Sequence, residues 1–185
     1  MRELSRIGEQ VNGILRPRRF VTGRVRAVKR NVFTGEITVY EADNIVTNDG
    51  DLYYAQMGAG ETPTNDFGAA SSEIVVLDGA GAAPGKASNW SNIGAAIGTG
   101  NPQAFDTNYP KTNDGDPDNP SAATDTVTYL VSYATGEANG TIVRVAIHLT
   151  GASGTDPILM YAALAVTKTS ADTLKVFVNH NMAGI

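Results

Sequence analysis

The residues with the most obvious chemical potential lie in the stretch "DGDPDNPSAATD". Asp114, Asp116 and Asp118 stand at alternate positions, and Asp125 follows eleven residues after Asp114. Hard divalent cations take six to eight oxygen ligands, and a twelve-residue calcium loop supplies them at positions 1, 3, 5 and 12. The spacing matches, but position 6 is Asn119 rather than Gly, position 12 is Asp rather than Glu, and the composition around it is that of turns. A solvated acidic turn is the plain reading. A weak Ca²⁺ site formed by Asp114, Asp116, Asp118 and Asp125 is the alternative, and it would staple a loop rather than catalyse.

Other chemistry is sparse. His148 and His180 are the only histidines. His148 falls within an apolar alternating run, on the face opposite its valines, which predicts a solvent-facing or edge position. His180, in "VNHN", is expected to hydrogen-bond to a neighbouring loop. The run "GAGAAPGKAS" looks like a phosphate loop, yet Ala80 and Ala87 occupy positions where that motif needs Gly and Ser or Thr. No G-x-S-x-G or H-E-x-x-H occurs. The sequence is therefore read as non-enzymatic, with no catalytic residue and no cofactor apart from the Ca²⁺ alternative. Trp90, the single tryptophan, sits in a polar loop, where it either anchors that loop or inserts into a partner.

Charge is distributed unevenly along the 185 residues. The first thirty hold nine Lys or Arg and two acids, a net +7, whereas the remainder is net −12. Seven of the basic residues fall in "RPRRFVTGRVRAVKR", among them Arg16, Arg18, Arg19, Arg24 and Arg26. Phosphate binding is one use for such a stretch. Its only aromatic is Phe20, so base stacking has little support, and the acidic body would repel a polyanion. An ordinary solvated face and docking onto an acidic protein surface are the two stronger readings; for docking, Arg16, Arg18, Arg19, Arg24, Arg26 and Trp90 are the residues expected to make the contact. Nucleic acid is the less favoured partner. With no cysteine the chain has no disulfide. No apolar run approaches the ~18 residues of a membrane span, and the N-terminal residues lack the apolar core of a secretory signal, so no membrane partner is expected.

Periodicity supplies the elements. Residues 1–19 are read as an extended basic arm, with a short amphipathic helix through Leu4, Ile7, Val11, Ile14 and Leu15 as the other option. A hairpin is expected over about 20–42, turning at Thr34-Gly35, with Val21, Val25 and Ala27 on one face and Thr22, Arg24 and Arg26 on the other. Ile37 and Val39 share a face of the returning strand. A helix of about two turns, capped by Asn48 or Asp49 and stopped by Gly58, follows. "SEIVVLDG" reads as a buried strand. The stretch 79–125, rich in Gly, Asn and Asp, carries no regular pattern, and loops of that length are functional or packed on a neighbour.

Four strands close the chain. Val127, Tyr129, Val131 and Tyr133 share a face; so do Val143, Val145, Ile147 and Leu149. "DPILMYAALAV" is apolar on both faces and so central, and Leu174, Val176 and Val178 alternate with polar residues in the last strand. The fold class expected is mainly all-β: an antiparallel β-sandwich over 20–185 with one short helix and an extended N-terminal arm.

Three stretches carry a resemblance. "DNIVTNDGDLYYAQMGAG" resembles the N-[IL]-V-T-N-x-G segment of tailed-bacteriophage virion proteins. "TGEANGTI", Thr135 to Ile142, and "KTSADTLKV", Lys168 to Val176, are similar to parts of the β-sandwich module in the same proteins. The likeness covers about 44–57 and 126–180. It implies a virion location and a structural role as a capsid decoration (cement) protein, whose arm docks on the shell and whose body faces out. Other virion proteins, the major capsid protein foremost, and further copies of the chain are the partners implied. A tail, baseplate or fibre β-sandwich module is the alternative, and a carbohydrate- or cation-binding sandwich is a second.

Overall fold

The structure, a computed structural model, describes residues 9–11, 14–16, 21–80, 84–112 and 125–182. Eleven strands and one helix run in the order β1 (Glu9–Val11), β2 (Ile14–Arg16), β3 (Thr22–Asn31), β4 (Ile37–Val46), α1 (Asn48–Ala59), β5 (Ser72–Leu77), β6 (Gln103–Ala104), β7 (Lys111–Thr112), β8 (Thr126–Tyr133), β9 (Gly140–Leu149), β10 (Ile158–Lys168) and β11 (Asp172–Asn181). A short 3₁₀ turn covers Trp90–Asn92. β1 and β2 pair antiparallel in a separate two-stranded sheet, so among the described residues Val11, Ile14 and Leu15 lie in strands rather than in the optional helix; Leu4 and Ile7 lie outside the described residues.

All the other strands belong to one antiparallel sheet in the order β6-β5-β9-β10-β4-β3-β11-β8-β7, curled into a half-barrel. The mainly all-β, sandwich-like architecture expected from the alternation is what the chain adopts. It is built from a single sheet folded over on itself. β4 makes the fold-over. Arg30↔Ile37 to Arg24↔Asp43 pair it with β3, while Asn44, Ile45 and Val46 pair it with Ala162, Tyr161 and Met160 of β10. The two halves then face one another across a shared core. Val25, Ala27, Tyr129, Val131, Leu174, Val176 and Val178 point in from one half, and Ile74, Val76, Val145, Ile147, Met160 and Leu164 from the other. Period-two alternation produces this directly, because successive side chains leave opposite faces of a strand.

The outer face of the β5-β9-β10 half is also covered. Val75, Leu77, Ala146, Ile158 and Tyr161 make a second, smaller core with Ile93 and the half-buried Trp90. The part of the irregular stretch from Pro84 to Ile93 therefore packs down on this face, tied by Trp90 N to Asp156 O (2.9 Å) and Tyr161 Oη to Pro84 O (2.6 Å). This is why β5 and the start of β10 read as apolar on both faces.

Two local readings change. The helix is twelve residues long because its N-cap is Thr47, whose hydroxyl accepts from Gly50 N (3.1 Å), and its stop is Gly60 in the left-handed region (φ +73°). Gly58 lies inside the last turn. In β9 the strict alternation fails: the pairing with β10 shifts between Ala163↔Arg144 and Val166↔Ile142. That irregularity turns Ile142 inward and leaves Val143 38% exposed. In β4, Ile37 and Val39 do share a face, and it is the outward one (61% and 45% exposed); Tyr40 and Ala42 pack on the core.

Gly50 lets α1 lie against β10. A Cβ there would stand 2.2 Å from Leu159 O and 2.7 Å from Val46 Cγ1, whereas one at Gly58 meets nothing within 4 Å. Gly50→Ala should therefore destabilise the fold by about 1–3 kcal/mol through overpacking. Gly58→Ala should be neutral or stabilise by up to ~1 kcal/mol through helix propensity. Urea melts of the two variants check both signs.

Candidate functional site

Among the docking residues inferred from sequence, Arg24 and Arg26 are brought together on the outer face of β3. Val25 and Ala27 are fully buried, so the pleat sends their neighbours outward. Arg30 continues the row. It does not stand alone, because β4 lays Glu41 and Asp43 beside it: Arg26 is opposite Glu41 and Arg24 opposite Asp43, with an Arg24–Glu41 ion pair at 3.5 Å. The outcome is a basic row flanked by an acidic one. Arg16 closes β2 in the separate hairpin. Arg18 and Arg19 lie outside the described residues, as do Asp114, Asp116 and Asp118.

Of the proposed cation ligands only Asp125 is described. Its carboxylate accepts from Thr126 Oγ1 (3.3 Å) and its carbonyl from Met182 N (2.6 Å). No cluster of three metal-ligating groups occurs among the described residues. Trp90 is placed as the anchor of the loop, its ring 4.4 Å from the His148 imidazole.

Both histidines overturn the sequence reading: His148 is not at the surface, and the partners of His180 lie on a strand and a helix rather than on a loop. His148 is 1% exposed. It does point away from the main core, as its position in β9 requires, but Trp90 and the packed loop cover that face. Its Nδ1–H donates to Leu149 O (2.7 Å), leaving Nε2 4.0 Å from the Glu73 carboxylate. Burial lowers the His148 pKa and raises that of Glu73.

His180 is fully buried and bonds to no loop. Its Nε2 accepts from Asn44 Nδ2 (2.8 Å) on β4, its Nδ1–H donates to the Tyr54 hydroxyl on α1, and Tyr54 in turn lies 3.0 Å from the Tyr129 hydroxyl on β8. This order of donors requires a neutral imidazole. Desolvation has the same effect, pulling the His180 pKa down to about 3 and pushing the Tyr54 and Tyr129 phenols up. The signal for this cluster was present in the sequence. Asn44 continues the inward series Tyr40, Ala42, and His180 the series Leu174, Val176, Val178.

The two motifs near the chain end meet each other. Lys168, 1% exposed, donates to Ala134 O (2.8 Å) and Asn139 Oδ1 (3.0 Å), so the "KTSADT" turn grips the "TGEANG" turn. Burial lowers the Lys168 pKa, opposed by the charges of Asp172 and Glu137. Burial alone would raise the Asp172 carboxyl. Hydrogen bonds from Thr169 N (2.9 Å) and Thr169 Oγ1 (2.8 Å), the Lys29 charge and Asn31 outweigh it and hold the pKa below the usual carboxylate value. These residues fasten turns.

No family model, no curated protein and no solved structure matches the chain.

A buried neutral histidine has a pH signature. The unfolded imidazole takes a proton below pH ~6.5, while folded His180 resists until about 3. Its contribution to stability is therefore complete above pH ~6.5 and is lost as pH falls toward 3. The expected slope is up to ~1.4 kcal/mol per pH unit below the unfolded pKa. His148, shifted in the same direction, adds to it. Between pH 6.5 and 5, above the range where carboxylates dominate, denaturant melts should show this decline. His180→Gln, less stable at pH 7, should show a shallower one.

Proposed function

We propose that the protein is a non-enzymatic structural component of a tailed-phage particle, most consistent with a capsid decoration (cement) protein that docks through its basic N-terminal arm. The observation that carries this reading is where the polar chemistry goes. Both nitrogens of His180, Nδ1 of His148, the buried lysine and the Tyr54–Tyr129 pair are committed to bonds that fix strands and turns. What remains on the outer face of the β3-β4 region is a charged, partly apolar surface of the kind that meets another protein. The residues of the phage-like stretches support the same reading. Thr47 and Gly50, from "NIVTNDG", join β4 to the helix, and Lys168 joins the other two stretches. A tail, baseplate or fibre module shares this surface and remains the alternative.

Mass spectrometry of purified virions tests the proposal. The protein is expected at tens to hundreds of copies per particle, and its absence would reject the reading. A chain lacking residues 1–19 should fold and stay in solution but fail to join particles. Joint replacement of Arg16, Arg18 and Arg19 should give a milder loss that deepens with salt, as the Debye length shrinks from ~10 Å at 0.1 M to ~3 Å at 1 M. A DNA gel shift by the isolated protein at low salt, together with normal incorporation of the truncated chain, would favour nucleic acid instead.

A further inference from the structure

The large sheet ends on two-residue strands, β6 and β7, which offer little to a passing chain. Its exposed edge lies elsewhere, at the fold-over. β10 stays paired with β4 only as far as Ala162↔Asn44, and the rest of β4 has no strand on that side among the described residues. At the far end the Lys29 side chain, reaching from β3, donates to Thr167 O of β10 (3.2 Å). Residues 37–43 of β4 are thus an open edge within the body of the sheet.

The direction of that edge's hydrogen bonds follows from the hairpin. Asn31 N–H donates to Glu36 O (2.9 Å), so Asn31 and Glu36 form a hydrogen-bonded pair. Pairs alternate along an antiparallel ladder. The N–H and C=O groups of Ile37, Val39, Glu41 and Asp43 consequently point away from β3, toward the open side. The same four residues carry their side chains on the outer face, where Ile37 and Val39 are among the most exposed large apolar groups. Unsatisfied backbone groups and exposed β-branched side chains coincide on one short strip.

We propose that this strip pairs with the same strip of a second copy, β4 against β4 across a two-fold axis. A two-fold interface must be self-complementary, and three observations satisfy that here. First, the strand presents donors and acceptors in alternation, so its antiparallel copy is a matching ladder. Second, the register centred on Thr38 sets Ile37 opposite Val39 of the other copy, and Val39 opposite Ile37, giving two cross-strand β-branched pairs. A centre at Tyr40 would instead set Ile37 against Asp43 and Val39 against Glu41. Third, the acidic residues of the strip are flanked within their own chain by Arg24 and Arg26, so charge does not oppose the approach of an identical edge. The product is one sheet running through both copies.

The test uses the isolated full-length chain, so its result is separate from any result on particles. Native mass spectrometry and light scattering should find a concentration-dependent dimer of the 19.4 kDa chain. Val39→Pro removes an edge donor that β3 does not use, and Ile37→Lys charges an exposed position. Both should return the protein to monomer while circular dichroism and the melting temperature stay close to wild type. The chain has no cysteine, so Thr38→Cys introduces a single thiol on the axis, in a non-hydrogen-bonded pair close enough for a disulfide. It should give a dimer on a non-reducing gel, and Glu41→Cys should not. A monomer at every concentration overturns the proposal. So does a dimer that survives both edge variants, or one that disappears on removing residues 1–19 while the edge is intact, which would place the contact in the arm.

Discussion

The fold depends on one strand bonding to two halves of a sheet. β4 belongs to β3 for its first seven residues and to β10 for its last three, and among the described residues no other strand joins the halves. Three paired positions are a slender joint, so side chains reinforce it. Thr47, next in sequence, donates its hydroxyl proton to the carbonyls of the β10 start and accepts from the first turn of α1. Thr47 N also donates to Leu159 O (3.0 Å). Gly50 lets the helix rest on that point. Corner, cap and helix start are therefore one construction.

The buried polar cluster belongs to the same corner. Asn44 is the first β4 residue paired with β10, and its amide holds His180 of β11 from inside the core. Gly23 leaves room for it: a Cβ there would sit 1.8 Å from Asn44 Oδ1. Tyr54 closes the cluster from the helix side. Polar groups in a core cost stability unless paired; here the pairing links β4, β8, β11 and α1 and leaves one buried oxygen, Asn44 Oδ1, without a partner. An apolar cluster of the same volume would bind these elements without fixing their relative register. The hydrogen bonds specify which strand lies where, which is the use such a network has in a sheet that must fold over at one defined place.

The sequence showed the strands more clearly than it showed what covers them. Period two identified β3, β8 and β11 and their inward residues, because alternation is a property of the strand itself. It misjudged His148, since a face is polar or apolar by sequence but buried or exposed by whatever packs on it; His180 follows the inward alternation of β11, and there only the partners were misjudged. His148 is covered by a loop sixty residues earlier in the chain, and no local pattern encodes that. Val143 was misplaced for a different reason: an irregularity in the β9–β10 pairing resets the alternation, and nothing in "GTIVRVAIHL" marks it. Of the docking residues, the common face of Arg24 and Arg26 was legible from the pleat. Their acidic neighbours Glu41 and Asp43 became visible only once the hairpin register was known.

That register also explains the basic stretch with which an acidic protein begins. Its second half is drawn into the fold, where Arg24, Arg26 and Arg30 alternate with buried residues and face the acids of β4. An exposed ion pair of this kind adds at most ~1 kcal/mol, so stability is a weak reason for the arrangement. Its stronger effect is on the potential at the surface. With Glu41 and Asp43 beside them, these arginines no longer present a uniform cationic face, and the attraction of the body for a polyanion is reduced accordingly. Positive charge without such neighbours in sequence is confined to the first half, around Arg16, Arg18 and Arg19, ahead of the sheet. On the docking and edge pairing proposed above, the cationic end and the charge-balanced edge are separate in the chain, so the two contacts need not compete.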